Sequence, residues 1–347
     1  MFALRHVSVL ALETALCILA TTSALAQSGD IFERLRRALM PSGQGEVAAS
    51  ALASKNFAQV EELLARGSGS TPQDRAELLC LQGAVYFLER KMSRAAGAFC
   101  EAAKLAPLRD SDSFTLAMAW VNLGDDTHAR AQLASLTRKY PERAIYIYWL
   151  GRLDYDQRRY EQSVAKLEKA AELDPKSARI WDSLGLAFDM QGKLEQAVGA
   201  FEKAVSVNRE QPHPSPWPPH DLGYLLLRME KSKQAEEALR ESLGYDPKLV
   251  QAHYHLGRTL EKEGRETEAI NEYVIATSGG AESADACYSL AMLYRKLHRD
   301  LEANAMFAEF KRRKQAFASS GLSTRETREC QGGSLFAQEP LWVWRHP

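Results

Sequence analysis

The stretch Ala178–Gln211, ARIWDSLGLAFDMQGKLEQAVGAFEKAVSVNREQ, decides the fold. Trp181, Leu184, Gly185 and Phe188 lie at i, i+3, i+4 and i+7, one stripe of an α-helix. Gly192 ends that helix, because a left-handed cap residue costs glycine nothing sterically. A second helix follows, with Ala197, Phe201 and Ala204 again on one face. The small residues at 185 and 197 are expected to let the two backbones approach closely, while Trp181, Phe188 and Phe201 fill the space around that contact.

The pattern recurs along the chain. Small residues stand at Gly83, Ala117, Gly151, Gly185, Gly223, Gly257 and Ala291, 34 residues apart except for one interval of 38. A second column keeps step twelve residues on, at Ala95, Ala129, Ser163, Ala197, Ala235, Ala269 and Ala303. A third holds Phe99, Leu133, Leu167, Phe201, Leu239, Tyr273 and Phe307. A fourth is Pro107, Pro141, Pro175 and Pro247, replaced by Arg209, Ala281 and Gln315 in the other units. Asp174-Pro175 and Asp246-Pro247 end one unit and start the next, since proline cannot continue a helix and disfavours one before it.

A 34-residue helix-turn-helix unit with these landmarks resembles the tetratricopeptide (TPR) repeat. The resemblance covers residues 76–317 as seven repeats, with a degenerate half-repeat near Asn56 to Leu64 among the N-terminal helices of residues 27–75. It implies an all-α fold, a right-handed α-solenoid in which each unit buries its apolar faces against its neighbours. Lys plus Arg number 44 against 45 acidic residues, so no net charge argues for nucleic acid or an anionic membrane.

The N-terminus reads as an export signal over residues 1–26. Arg5 precedes an apolar stretch from Val7 to Ala20, interrupted by Glu13, and Ala24-Leu25-Ala26 has the small-x-small form of a cleavage site. Cleavage would leave Gln27 first and place the chain in the periplasm or outside the cell. The alternative is an uncleaved membrane anchor, for which the run is short. Leu16 before Cys17 argues against lipid attachment. Of the remaining cysteines, Cys80, Cys100, Cys287 and Cys330, the spacing fits no zinc or redox motif. A bridge between Cys80 and Cys100, on paired helices of one repeat, stays open as an alternative.

Two segments break the array. In residues 211–219, QPHPSPWPP, five prolines are expected to forbid helix and impose an extended, stiff connection. It serves either as a longer linker or as a seam that changes the groove. The tail, residues 318–347, has no helical period from Ser319 on and is expected to be disordered, with Trp342 and Trp344 near its end. The helix from Leu301 to Lys314 would close the array as a solvated cap.

Numbering each repeat from 1, the buried stripe of the first helix falls at positions 4, 7, 8 and 11. Positions 2, 5, 9, 12 and 13 lie roughly 140° around. The resemblance implies that this second stripe lines a concave groove holding an extended peptide or a partner helix. Here it carries Tyr148, Arg152 and Tyr155; then Trp217, His220, Tyr224 and Arg228; then Tyr254, Arg258 and Lys262; and finally Tyr288 and Arg295. Tyrosine and arginine combine large contact area with hydrogen-bonding tips and are enriched in binding hot spots. The first two repeats place Glu77, Cys80, Ala84, Phe87 and Leu88, then Ser111, Phe114, Met118, Val121 and Asn122 there instead.

The expectation is a groove with an apolar N-terminal half and an aromatic, basic C-terminal half, suited to a protein segment with both apolar and acidic residues. The alternative is that the charged groups pair along the wall, as Arg258 with Glu261. Position 9 reads Ala84, Met118, Arg152, Leu186, Tyr224, Arg258 and Met292, which lacks the Lys and Asn clamp of some cytosolic relatives. No Gly-rich phosphate loop, GxSxG or HExxH occurs, so no enzyme, cofactor or metal site is indicated. His253 and His255 are two apart and on a helix point roughly 200° from each other. The functional expectation is an exported scaffold or adaptor in envelope-associated assembly. The alternative is a self-associating or assembly module acting through its convex face or solenoid ends.

Overall fold

The computed structural model describes residues 31–67, 69–279 and 283–329, with side chains to residue 316. The export signal read in residues 1–26, together with Cys330, Trp342 and Trp344, lies outside them. Among the described residues every regular element is helical, and no helix is long and apolar enough to cross a membrane.

The chain divides into two compact units at Leu153/Asp154. The first contains α1 (31–38), a 3-10 turn at Met40–Ser42, α2 (Gly45–Ala53), α3 (Phe57–Arg66), α4 (Pro72–Leu88), α5 (Met92–Leu105), α6 (Asp110–Leu123) and α7 (Asp126–Lys139). The boundary falls within α8 (Ala144–Asp156). The second unit contains α9 (Tyr160–Leu173), α10 (Ala178–Met190), α11 (Leu194–Arg209), α12 (Trp217–Arg228), α13 (Ser232–Tyr245), α14 (Val250–Lys262), α15 (Glu266–Ala276), α16 (Ala284–Lys296) and α17 (Asp300–Glu329). In both units consecutive helices pack in antiparallel pairs, α4 on α5 and α10 on α11 among them, and each pair packs on the next.

What makes each pair close is the meeting of the first and third columns. A Cβ on Gly185 would lie 2.6 Å from Cδ1 of Phe201, and one on Gly257 would lie 2.7 Å from Cδ1 of Tyr273. Gly83 stands in the same relation to Phe99, and Gly223 to Leu239. The close approach is therefore a ring or a leucine laid flat on a glycine, with Phe99, Phe201 and Tyr273 fully buried. Alanine in the second column has a lesser part, seen where the Ala235 carbonyl reaches within 3.1 Å of the Gly223 Cβ position. Trp181 is only half-buried, and its indole Nε1 donates to the Pro175 carbonyl at 3.0 Å. It ties the inter-repeat linker to the next helix rather than filling the pair. His253, also at position 4, does the same to the Pro247 carbonyl.

The turn between paired helices is a conformation more than a residue type. Position 15 is left-handed in every repeat: Arg90, Gly124, Arg158, Gly192, Glu230, Gly264 and His298, with φ from 55° to 76°. Glycine adopts this without cost, whereas the four side-chain-bearing residues hold it against about 1–2 kcal/mol each. Lys55, φ 56°, turns α2 into α3 in the same way, and Asn56 caps α3 by accepting from the Gln59 amide. The stretch read as a half-repeat is thus one arm of a short helical pair.

Two expectations are corrected, and one alternative is decided. Prolines 218 and 219 do not forbid helix, because they sit in the first turn of α12, where the amide hydrogens they lack have no intrahelical partner to lose. The rest of the insertion is pinned by Asn208, whose side chain donates to the Ser215 carbonyl and accepts from the Ser215 amide, both at 2.8 Å. The helix before the tail does not stop near Lys314 but runs to Glu329, since no proline intervenes and Gly321 alone does not end it. Cys80 and Cys100 are free thiols. Burial and the neighbouring Asp112 carboxylate push the Cys80 thiol up to about 12, so it is held as an inert thiol.

Candidate partner-binding groove

In the first unit part of the expected apolar half of the groove is covered by the chain itself. Helix α1 lies against α4 and α6. Arg34 donates from Nε and Nη2 to Glu77, at 2.8 and 3.3 Å, and from Nη1 and Nη2 to Asp112, at 2.8 and 3.0 Å. Arg34 and Asp112 are 5% and 3% exposed. Glu77 is position 2 of the first repeat, and the buried Cys80 beside this cluster is position 5. Ile31, Leu35 and Leu39 form one core with Leu52 of α2, Val60 and Leu64 of α3 and Leu78, Leu81 and Val85 of α4, against which Ala84 and Leu88 at positions 9 and 13 pack. Met118 and Val121 are buried as well. Part of the expected apolar half is thus covered by the chain itself at the first repeat, while Phe87 and Phe114 stay half-buried.

Tyr148 and Arg152 belong to this first unit and are each 2% exposed. Tyr148 packs its ring edge-on against Trp149 at 5.3 Å. The remaining candidates all lie in the second unit. Tyr155 is half-buried against Tyr160, ring centroids 5.6 Å apart.

Within the second unit, α12 touches both α10 and α14, so the first helices of successive repeats stand side by side. This brings Trp217, His220, Tyr224 and Tyr254 into one aromatic cluster around His255. Ring centroids are 5.3 Å apart for Trp217 and His220, 5.2 Å for His220 and His255, 4.6 Å for Tyr224 and His255, and 5.1 Å for Tyr254 and His255. His220 is buried and pairs through Nδ1 with Asp221 at 2.8 Å. His255, at position 6, was not a sequence candidate. The α12–α14 contact turns it toward the row, which no single-helix wheel reveals. His253 points elsewhere, with Nδ1 on Glu272 at 2.5 Å and Nε2 on the Pro247 carbonyl at 3.0 Å. The two rings thus diverge as their spacing requires.

The cations of the row fall into two kinds. Arg228 stacks over Tyr224, 5.5 Å from its centroid, and is bound through Nη1 to both oxygens of the buried Asp189 at 2.8 and 2.6 Å. Here the wall-pairing alternative holds, between neighbouring repeats. Arg258 stacks over Tyr254 at 5.8 Å, while Glu261 instead accepts from the Tyr273 hydroxyl at 2.7 Å. Arg295 lies 4.6 Å from the Phe307 centroid. Among the described residues no ion pair joins Arg258, Lys262 or Arg295 to a carboxylate. Tyr288, 45% exposed, rests on Phe307 and Phe310, and Met292 beside it is also exposed. Phe307 and Phe310 come from α17 and pack against this end of the row. A guanidinium laid over a ring keeps its N–H edge available to a carboxylate while its face is satisfied. Burial raises the Tyr254 hydroxyl above its usual range, so that ring stays neutral beside Arg258.

A family model for the tetratricopeptide repeat matches residues 114–178, 148–213 and 220–281, and the chain carries TPR repeats across these helices. The cytochrome c-type biogenesis protein CycH of Rhizobium meliloti is 27% identical over 112 residues, 31% of this chain and 28% of that protein. The type IV pilus assembly protein PilF of Pseudomonas aeruginosa is 36% identical over 92 residues, 26% of this chain and 34% of that protein. The chain thus spans about a third or less of the length of these relatives. The solved structure of Pseudomonas aeruginosa PilF aligns with a TM-score of 0.51 at 18% identity, covering 69% of this chain and 99% of that one, which is a likeness of fold.

Proposed function

We propose that this chain is an exported TPR scaffold that holds an extended protein segment, acidic and partly apolar, along the first helices of its second unit during assembly of an envelope-associated complex. The observation that carries the reading is the pair of guanidiniums, Arg258 and Arg295, laid over aromatic rings and joined by Lys262, none of them in an ion pair among the described residues. A carboxylate meeting such a group gains a charge-assisted hydrogen bond without breaking one already made. Tyr288 and Met292 add exposed apolar surface beside Arg295. Export rests on the Arg5 to Ala26 pattern. The setting in envelope assembly is supported by similarity to proteins named for pilus assembly and cytochrome biogenesis.

The test separates the two kinds of cation. The chain from Gln27 to Pro347 is immobilised, proteins of its own cell envelope are captured, and elution is attempted with a peptide alternating glutamate and leucine. The triple substitution Arg258→Glu, Lys262→Glu and Arg295→Glu is expected to abolish peptide-eluted capture while leaving helicity and melting unchanged. Arg228→Glu serves as a contrast, because it strands the buried Asp189 carboxylate and is expected to lower stability by about 1–3 kcal/mol. Capture that survives the triple substitution at full strength overturns the reading.

A further inference from the structure

The first unit shows what its concave face accepts, because that face is occupied. Helix α1 presents Arg34 between Ile31, Leu35 and Leu39, and the repeats answer with two carboxylates on neighbouring first helices, Glu77 of α4 and Asp112 of α6. The guanidinium is satisfied on both edges: Asp112 takes it in a fork and Glu77 takes the other side. Glu77 also receives Arg109 at 3.3 Å, which holds its carboxylate in place. Groove positions 2, 9 and 13 of one repeat are engaged together. This is how a bound helix is held, with apolar anchors about a turn apart and one charge that sets register.

We propose that residues 31–39 are a resident ligand, and that the face of α4 and α6 beneath them is a second binding site, for an amphipathic helix carrying an arginine among apolar residues. Its chemistry is opposite to that of the second-unit row, where cations await an acidic segment, and it does not depend on that row's function. Two features make exchange feasible. The whole connection from α1 to α2 is the short turn Met40–Ser42 with Gly43 and Gln44, and Gly43 is left-handed with open space around it. The charged pairing is also non-local, joining residue 34 to residues 77 and 112, and the apolar anchors of α1 enter a core built by α2, α3 and α4, so an incoming helix of the same pattern can make the same anchoring contacts. While tethered, α1 competes at the high effective concentration that a short linker gives.

The experiment uses the full chain and a fluorescent peptide of residues 30–42. Leu35→Asp places a charge at a fully buried position of α1 and leaves the receiving face unaltered. The peptide is expected to bind this variant, and to bind the unaltered chain at least about 10-fold more weakly because α1 occupies the site. Replacing the peptide's arginine at position 34 by alanine, or Asp112→Asn in the chain, is expected to weaken binding about 10- to 100-fold, as for a lost hydrogen bond between charged groups. If Leu35→Asp does not fold, a protease site inserted between Gly43 and Gln44 of the otherwise unaltered chain replaces it. Once the chain is nicked, labelled peptide should exchange into the site. A folded Leu35→Asp chain that ignores the peptide, a nicked chain that never exchanges, or equal binding of the arginine-free peptide overturns the proposal and makes α1 a fixed part of the core.

Discussion

The repeat Ala178–Gln211 contains three glycines, and replacing each with alanine should give three outcomes for three physical reasons. Gly199 lies inside α11 with nothing within 4 Å of a Cβ. Alanine there gains helix propensity alone, so Gly199→Ala should stabilise by about 1 kcal/mol. Gly192 also has open space, but its φ is +73°. Alanine pays about 1–2 kcal/mol for the left-handed conformation and recovers about 0.4–1 kcal/mol from a less flexible unfolded chain, a net loss near 1 kcal/mol. Gly185 has helical backbone but faces Phe201, whose Cδ1 and Cε1 would lie 2.6 and 2.7 Å from the new methyl. Normal carbon contact begins at about 3.5 Å, so a ring that is 1% exposed has to retreat by about 1 Å. Overpacking costs about 1–3 kcal/mol and exceeds the propensity gain.

The assay is urea unfolding of each variant, followed by circular dichroism, with hydrogen exchange of the α10 and α11 amides to read the change locally. Local readout matters because an array of nearest neighbours need not unfold in one step. The steric account also predicts coupling. Phe201→Leu alone removes packing and destabilises, but combined with Gly185→Ala it should cost less or nothing, as the second repeat already carries alanine and leucine, Ala117 and Leu133, in these two columns. Three glycine variants that shift stability in the same direction, or additive behaviour of Gly185→Ala and Phe201→Leu, would falsify the column-on-column packing argued above.

Two further outcomes are expected. Arg158→Gly, Glu230→Gly and His298→Gly should each stabilise the chain by about 0.5–1 kcal/mol, because glycine removes a left-handed penalty of about 1–2 kcal/mol at an entropic cost of about 0.5–1 kcal/mol; the three urea midpoints check this. Burial of His253 opposes its charge, but the hydrogen bonds to Glu272 and the Pro247 carbonyl outweigh it and raise its pKa above the ordinary value. Both partners only accept, so both ring nitrogens donate, and only the imidazolium does that. Because the folded pKa is raised, the His253 contribution is complete below the unfolded value of about 6.5 and is lost as pH rises through the folded one. The melting difference between the unaltered chain and His253→Asn should therefore shrink from pH 5.5 upward through the raised pKa, and a difference that grows with pH refutes the assignment.

The repeat was legible in the sequence because each unit buries its faces against its own second helix and its immediate neighbours. Such contacts impose period 3.6 within helices and 34 between them, and the glycine–aromatic columns are the trace of the closest of these contacts. Backbone conformation was legible only where it coincided with residue type: Gly192 announced its left-handed turn, whereas Arg158, Glu230 and His298 did not, since surrounding packing forces the same φ on them. The prolines of residues 211–219 read as breakers because proline's cost depends on its place in a helix, and only the fold put Pro218 and Pro219 in a first turn. In the row, the aromatic and basic residue types were read from position, but which cations are paired was not, because Asp189 meets Arg228 across a repeat interface. The cover that α1 lays over the first repeat was hidden for the same reason in stronger form. Arg34 precedes the repeats and finds Glu77 and Asp112 by tertiary contact, so periodicity along the chain carries no record of it. The sequence by itself determined a chain of 34-residue helical pairs and the residue types on each face; the tertiary structure alone decided which of those faces stays open, because occupancy of a surface depends on segments distant in sequence that obey no repeat.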